Sequence, residues 1–382
     1  MMNRGLCLNP AIGHTNGSVL RNRRRSSVLT RIFGEGGGRR FSQDLRKEII
    51  TPPNYSPPPE EQVETSKVIF FQVFIPFLVA GFGNVGAGLI LDYVQHWPVF
   101  KDTPELFILV ASFLGFKGNL EMTLAARLAT QANMGELDCP KAQLSIGIGN
   151  VALIQAQATV VAFLAAIIAF AINYFKEFIF NSDSCLLILS TSLVTAAITG
   201  LFLSVLMVVV TILSRKVGVN PDNVSTLMAA FLGDISAVIL LAGSAKLFYD
   251  YRGVEWLAPV IIGFFILVLP IFLFIARKNK YTHDVVGTGW FPIIIAMFIS
   301  SVAGFIFDFA VETFQTIAVF QPIINGVGAN LVAVQASRIS TYLHQRVELG
   351  ELPEQENDSG LKEKYRLFQT PCNAFFGSSE YM

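Results

Sequence analysis

Charge is scarce in this chain. Asp, Glu, Lys and Arg make up 15% of its 382 residues, where soluble domains carry about 25%. A water-facing surface on all sides is excluded, and a hydrophobic content of 52% points to many membrane spans. Histidine is sparse too: His14, His96, His283 and His344 are isolated, which gives no His-based metal centre. Cys7, Cys139, Cys185 and Cys372 are scattered without CxxC spacing, so neither a disulfide framework nor a soft-metal site is expected. No phosphate-cradling Gly loop, nucleotide motif or nucleophile elbow occurs. With no nucleophile–base pair and no His-carboxylate triad either, no enzymatic activity, no cofactor and no nucleic-acid partner is expected. Residues 1–66 lack the apolar core, about 7–15 residues long, that a cleaved signal peptide needs.

What the chain has is apolar length. Eight segments, about 68–91, 104–130, 144–171, 185–213, 224–246, 255–276, 290–310 and 317–342, reach the roughly 20 residues that cross a bilayer. Polar residues interrupt two of them: Lys117, Asn119 and Glu121 in the second, the stretch from Pro322 to Asn330 in the eighth. Polar breaks at membrane depth are tolerated only where protein or water satisfies them, so two broken helices are expected.

The segments also repeat. Pro76, Gly88 and Asp92 recur as Pro292, Gly304 and Asp308, each 216 positions on (292 − 76, 304 − 88, 308 − 92). Asn119, Arg127 and Thr130 recur as Asn330, Arg338 and Thr341, each 211 on (330 − 119, 338 − 127, 341 − 130). A loop five residues shorter (216 − 211) reconciles the two offsets. Duplicated bundles with interrupted helices are a transporter architecture, with the substrate path where the repeats meet.

Basic residues set the orientation. The N-terminal arginines, then Arg127, Lys141, Arg215, Lys216, Arg277, Lys278, Lys280, Arg338 and Arg346, fall on one side, which makes that side and the N-terminus cytosolic. Six spans separate equivalent points of the two repeats, an even number, so both enter the membrane in the same direction. The expected symmetry axis then runs along the membrane normal.

Among intramembrane polar residues, Asp234 is the foremost candidate, because an ionisable group in hydrocarbon is functional by default. Asn223, Thr226, Ala230 and Asp234 follow at steps of 3, 4 and 4 and share one helical stripe. Hard cations prefer such oxygen ligands, and Mg²⁺, which sheds water reluctantly, suits one or two carboxylates on a watery path. Packing against a neighbouring helix is the structural alternative for Asp234. Asn119 and Asn330, at equivalent breaks, are candidates to line the path; the alternative is that each caps a half-helix. Asp92 and Asp308 end their spans and are either a pore mouth or solvated helix ends. Glu121 is expected to pair with Lys117 at i, i+4, with cation binding as the alternative. Arg127 and Arg338 are read as orientation charges, and Asn150, Gln155, Gln157 and Thr159 as interhelical hydrogen-bond groups.

Two long motifs carry a resemblance. Val110–Arg127 (VASFLGFKGNLEMTLAAR) and Gln321–His344 (QPIINGVGANLVAVQASRISTYLH) closely resemble the eukaryotic magnesium transporters of solute carrier family 41. The resemblance runs from about residue 68 onward. It implies kinship with the bacterial MgtE channels, whose five-helix membrane domain works as a homodimer, and which this family fuses in pairs through a connecting helix. In such proteins the fifth helix opens with an Asp-Pro or Asn-Pro turn and carries a metal-binding Asp. Asn220-Pro221 and Asp234 match that pattern, and Asn119 and Asn330 fall where the second helix lines the path. Ala111 and Leu227 stand where the family usually has Pro. The cytosolic magnesium-sensing domains of MgtE have no counterpart here. The second repeat shows only its first two spans, so a counterpart of Asp234 is missing.

The resulting expectation is an all-α polytopic membrane protein. It has a basic, Pro-rich cytosolic tail (1–66), a first MgtE-like repeat (67–250), a connecting helix and loop (251–285), a partial second repeat (286–346) and a cytosolic tail (347–382). Its expected function is Mg²⁺ transport, with other divalent cations open, driven by the ion gradient or by exchanged Na⁺. Mg²⁺ is substrate, not cofactor. The lipid bilayer is a partner, and so is a second copy of the chain, since one Asp234 per chain leaves a two-carboxylate pore incomplete. A truncated isoform that regulates full-length partners is the alternative function. The plasma membrane is the expected location. A mitochondrial membrane is the alternative, because the Arg-rich, acid-poor start resembles a transit peptide.

Overall fold

The computed structural model describes residues 66–178, 181–346, 354–356 and 362–364, all within the unit Glu64–Met382. The expected tail over residues 1–65 lies outside the described residues, as does most of 347–382. Ten helices follow in order: α1 (Ser66–Val94), α2 (Pro98–Asp102), α3 (Glu105–Asn133), α4 (Pro140–Glu177), α5 (Ser182–Val217), α6 (Pro221–Asp250), α7 (Leu257–Lys278), α8 (His283–Thr288), α9 (Trp290–Thr313) and α10 (Phe320–Arg346). Two 3₁₀ turns, Glu136–Asp138 and Gln315–Val319, lie between them. A short antiparallel pair, β1 (Glu354–Glu356) and β2 (Lys362–Lys364), follows. All but α2 and α8 are long and apolar enough to cross a membrane, and these eight match the eight segments read from the sequence.

The helix ends follow local chemistry. Asn181 caps α5 by accepting from the backbone N–H groups of Asp183 and Ser184, and Asn220 caps α6 by accepting from that of Asp222. Each side chain satisfies donors that the first turn leaves free. Pro221 stands at the first helical position, where its missing N–H is not needed. Gly218, at φ 77°, stops α5 in a left-handed conformation that suits glycine.

The two expected breaks are absent. α3 runs unbroken through Gly118-Asn119, and α10 through Gly328-Ala329-Asn330. A Gly inside a helix costs about 1 kcal/mol, which tertiary packing of a 29-residue helix such as α3 outweighs. The polar side chains that suggested a break are satisfied from outside: Lys117 pairs with Glu121 and with Asp234. Pro322 sits in the first turn of α10, where proline is tolerated.

Reciprocal contacts reveal the duplication in space. A Cβ on Gly304 of α9 would lie 2.6 Å from the carbonyl oxygen of Ile108 at the start of α3. A Cβ on Gly88 of α1 would overlap the carbonyl oxygen of Val319 at the start of α10. Gly304 is Gly88 shifted by 216, and Val319 is Ile108 shifted by 211. The same holds for Gly115 against Ser300 and Gly326 against Asn84. Each repeat therefore lays its first helix on the second helix of the other, through glycines that admit close backbone approach. At the opposite end of these helices Thr130 and Thr341, equivalent residues, hydrogen-bond to each other at 3.1 Å. Equivalent residues in contact lie on the axis that relates the repeats, so that axis runs along the helices, and the repeats are parallel.

α6 packs against α1, α3, α5 and α10. Its contact with α1 is made close by Gly83, which lies against Phe231, and by Gly86, which lies against Ile235. α7 packs against α4, α5 and the short α8. Val260, Phe264, Leu267, Ile271 and Phe274 on it are exposed, as a lipid-facing helix requires. Cys139, read above as part of no disulfide framework, is disulfide-bonded.

Candidate functional site

The centre of the site is on α6. Asp234 is 5% exposed, and its Oδ1 accepts a hydrogen bond from Lys117 Nζ at 3.2 Å. The same ammonium lies 3.1 Å from Glu121 Oε2. Two carboxylates from two helices thus share one cation, all three groups buried. Gly233 makes the approach fit, since a Cβ there would meet Lys117 Nζ at 2.5 Å and Glu121 Oε2 at 2.6 Å. The expected i, i+4 pair of Lys117 and Glu121 is present; the reach of Lys117 to Asp234 was not foreseen.

Several buried oxygens of these helices have no hydrogen-bond partner among the described residues. They include Thr226 Oγ1, two turns before Asp234 on α6, and Asn330 Oδ1 on α10. Asn84 on α1 is fully buried with both amide atoms unpartnered, pressed against Gly326 of α10. Asn84 was not singled out from the sequence. A signal was available, namely one amide amid Gly81, Gly83, Gly86 and Gly88 in an otherwise apolar span. Asn119 is half-buried on α3.

At the end of the seam marked by Thr130 and Thr341 lies a polar knot. Asp222 Oδ1 accepts from Ser337 Oγ at 2.6 Å and from Thr341 Oγ1 at 3.1 Å, while its Oδ2 accepts from Asn133 Nδ2 at 2.8 Å. Asn223 donates to Gln72 Oε1 at 2.7 Å and accepts from Arg338 at 3.0 Å. The knot ties together α1, α3, α6 and α10. Asn223 is therefore engaged here, whereas Thr226 and Asp234 on the same stripe lie deeper. Arg127 and Arg338, read as orientation charges, fasten helices: Arg127 donates to Asn150 at 3.3 Å and Arg338 to Asn223. Gln155 bonds the Ala197 carbonyl of α5 at 2.9 Å, an interhelical contact as expected.

The opposite end is held differently. Asp308 is 2% exposed and pairs with Lys176 of α4 at 3.1 Å; Glu312 pairs with the same ammonium. Its equivalent Asp92 is half-buried and accepts from Gln95 Nε2 at 2.7 Å. The structure thus groups Asp234 with Lys117 and Glu121, places Asn223 in the knot, and separates both from Asp92 and Asp308. No group of three or more His, Cys, Asp or Glu able to hold a metal occurs among the described residues. One or two carboxylates beside neutral oxygens suit an ion that keeps part of its water.

Comparison with known proteins agrees with this architecture. The family model described as MgtE, divalent cation transporter, matches residues 110–244. Solute carrier family 41 member 2 of mouse is 45% identical over 318 residues, covering 82% of this chain and 54% of that protein. The human member 2 is 45% identical over 316 residues, with 82% and 55% covered. Mouse solute carrier family 41 member 3 is 43% identical over 317 residues, with 82% and 63% covered. The chain spans about half the length of the member 2 relatives it matches. No solved structure matches it.

Proposed function

We propose that this chain, which belongs to solute carrier family 41 and is MgtE-like, moves Mg²⁺ across a membrane along the seam between its two repeats, with Asp234 as the central cargo ligand. The observation that carries this is the burial of the Asp234 carboxylate in an apolar helix packed against α1, α3 and α10. A carboxylate at the middle of a membrane helix costs about 3 kcal/mol on the modest scales, and such residues mark ion pathways. Asn330, Asn84 and Thr226 offer oxygens that no protein group uses, and they and Asn119 line the path. Such donors exchange with the water shell of Mg²⁺ without stripping it.

In this reading the repeats are 67–250 and 286–346, joined by 251–285. The knot around Asp222 is the cytosolic gate, and Asn223 becomes a ligand only when that gate opens. Asp92 and Asp308 stand at the outer mouth. The ion gradient or exchanged Na⁺ drives transport, across the plasma membrane. Glu121 supplies a second carboxylate from within the chain, so the central site does not depend on a second copy.

The test is Mg²⁺ uptake into proteoliposomes that hold the purified chain, wild type beside Asp234→Asn. Uptake by the wild type that falls at least tenfold in Asp234→Asn supports the proposal. Equal flux in the two removes Asp234 from the mechanism.

A further inference from the structure

We infer that Lys117 is a tethered cation that occupies the cargo site and moves aside into a built-in refuge when a divalent ion arrives. This rests on Asp234 being the cargo ligand. The ammonium lies between Glu121 and Asp234, against the backbone of Gly233. That is the position from which a cation would reach both carboxylates, so ammonium and cargo compete for the same oxygens. Lys117 needs only to turn its side chain, because its charge stays on one tether throughout.

The refuge lies between α3, α4 and α5. It is a cavity of about 20 Å³, lined by Lys117, Glu121, Thr199 and Ser204 together with apolar side chains such as Phe116 and Ile154. That volume suits one water molecule or one ammonium head. Two of the residues that line it carry a buried oxygen with no partner among the described residues: Glu121 Oε1 and Thr199 Oγ1. Thr199 is 1% exposed and Glu121 7%. Such groups are costly to leave unpaired, and an ammonium has three donors to offer them. Glu121 is the pivot. Its Oε2 holds Lys117 in the cargo site, and its Oε1 receives Lys117 in the refuge. When cargo departs, the ammonium returns to Asp234 and neutralises it, so the carboxylate is never left bare in hydrocarbon.

The test is equilibrium dialysis of the purified full-length chain against magnesium chloride, with bound Mg²⁺ counted by elemental analysis. Four forms are compared: wild type, Lys117→Met, Thr199→Val and Asp234→Asn. Removing the competitor in Lys117→Met is expected to tighten Mg²⁺ binding at least tenfold. Thr199→Val keeps the ion pairs and the shape but spoils the refuge, and is expected to weaken binding at least threefold although it touches no cargo. A folded Lys117→Met that binds no tighter than wild type overturns the inference, because a merely structural ion pair gives that result. Should Lys117→Met fail to fold, Thr199→Val decides alone, and binding equal to wild type overturns the inference. Asp234→Asn separates the two levels. Loss of binding there with no tightening in Lys117→Met sinks only the tethered cation; unchanged binding in Asp234→Asn sinks the cargo site, and the tethered cation with it.

Discussion

Thr130 and Thr341 stand 211 positions apart in sequence and share a hydrogen bond of 3.1 Å in space. Each is the image of the other under the internal duplication, so the bond sits on the axis that relates the repeats. It also sits beside Asp222, which accepts from Thr341, at the end of the seam proposed to open toward the cytosol.

Joining these two threonines covalently should therefore lock the seam. With Thr130→Cys and Thr341→Cys combined, oxidation is expected to form an intramolecular crosslink and to reduce Mg²⁺ uptake at least fivefold, with recovery on reduction. Uptake by the oxidised double variant equal to that of the reduced form removes the gate from this end. Each single variant serves as the control.

The glycines that bring the repeats together should be intolerant of any side chain. Gly88→Ala and Gly304→Ala each place a methyl group against a backbone carbonyl, and overpacking of that kind costs about 1–3 kcal/mol. Gly118→Ala and Gly328→Ala meet nothing within 4 Å and should be neutral, or stabilising by up to about 1 kcal/mol. Thermal unfolding in detergent distinguishes the pairs. Equal melting temperatures across the four variants would contradict the close approach.

The knot makes its own prediction. Asp222→Ala leaves Ser337, Thr341 and Asn133 without their shared acceptor, and should destabilise the chain by about 1–3 kcal/mol. Asn220→Ala removes a helix cap as well as a contact with Asn133, and should cost about 1 kcal/mol. Thermal melts again give the readout, with Asp222→Ala expected to fall further than Asn220→Ala.

At the other end Lys176→Met should be worse than Lys176→Met combined with Asp308→Asn. The single variant takes the ammonium from a carboxylate that is nearly inaccessible, and breaking such a pair from one side costs more than removing both charges. Because Lys176 is partly exposed, the difference is expected at about 1–2 kcal/mol rather than the larger values of deep pairs. A double variant less stable than the single would show that the pairing with Asp308 is not what holds α4 to α9.

Much of this was legible in the sequence. Eight apolar segments gave eight long helices, and the two offsets gave the parallel duplication, because burial and repetition leave marks that a linear pattern keeps. Asp234 stood out because a charge in an apolar span is conspicuous. What the sequence hid was partnership. Glycine and asparagine together in α3 and α10 suggested broken helices, yet the backbone runs on through Gly118 and Gly328, and close approach falls to other glycines of the same helices, Gly115 and Gly326. Lys117 showed its neighbour four residues away and not its partner 117 residues away. Asn223 shared a stripe with Asp234, but its amide is claimed by Gln72 and Arg338, which no helical wheel of α6 contains. Asn84 passed unnoticed because one amide among glycines is a faint signal, and what it faces, Gly326, is remote in sequence.

The laying of each first helix on the other repeat's second helix sets a schedule for biosynthesis. Asn84 leaves the ribosome 242 residues before Gly326 (326 − 84), the residue it covers. At about 5–20 residues per second, that is a wait of roughly 10–50 s. Through most of that interval the part of α1 at Asn84 and Gly88 and the flank of α3 that receives α9 have no native neighbour, while α4 through α7 are still being made. The insertion machinery or an assembly factor has to shelter them until α9 and α10 arrive, and the chain cannot settle its first half before it has begun its second.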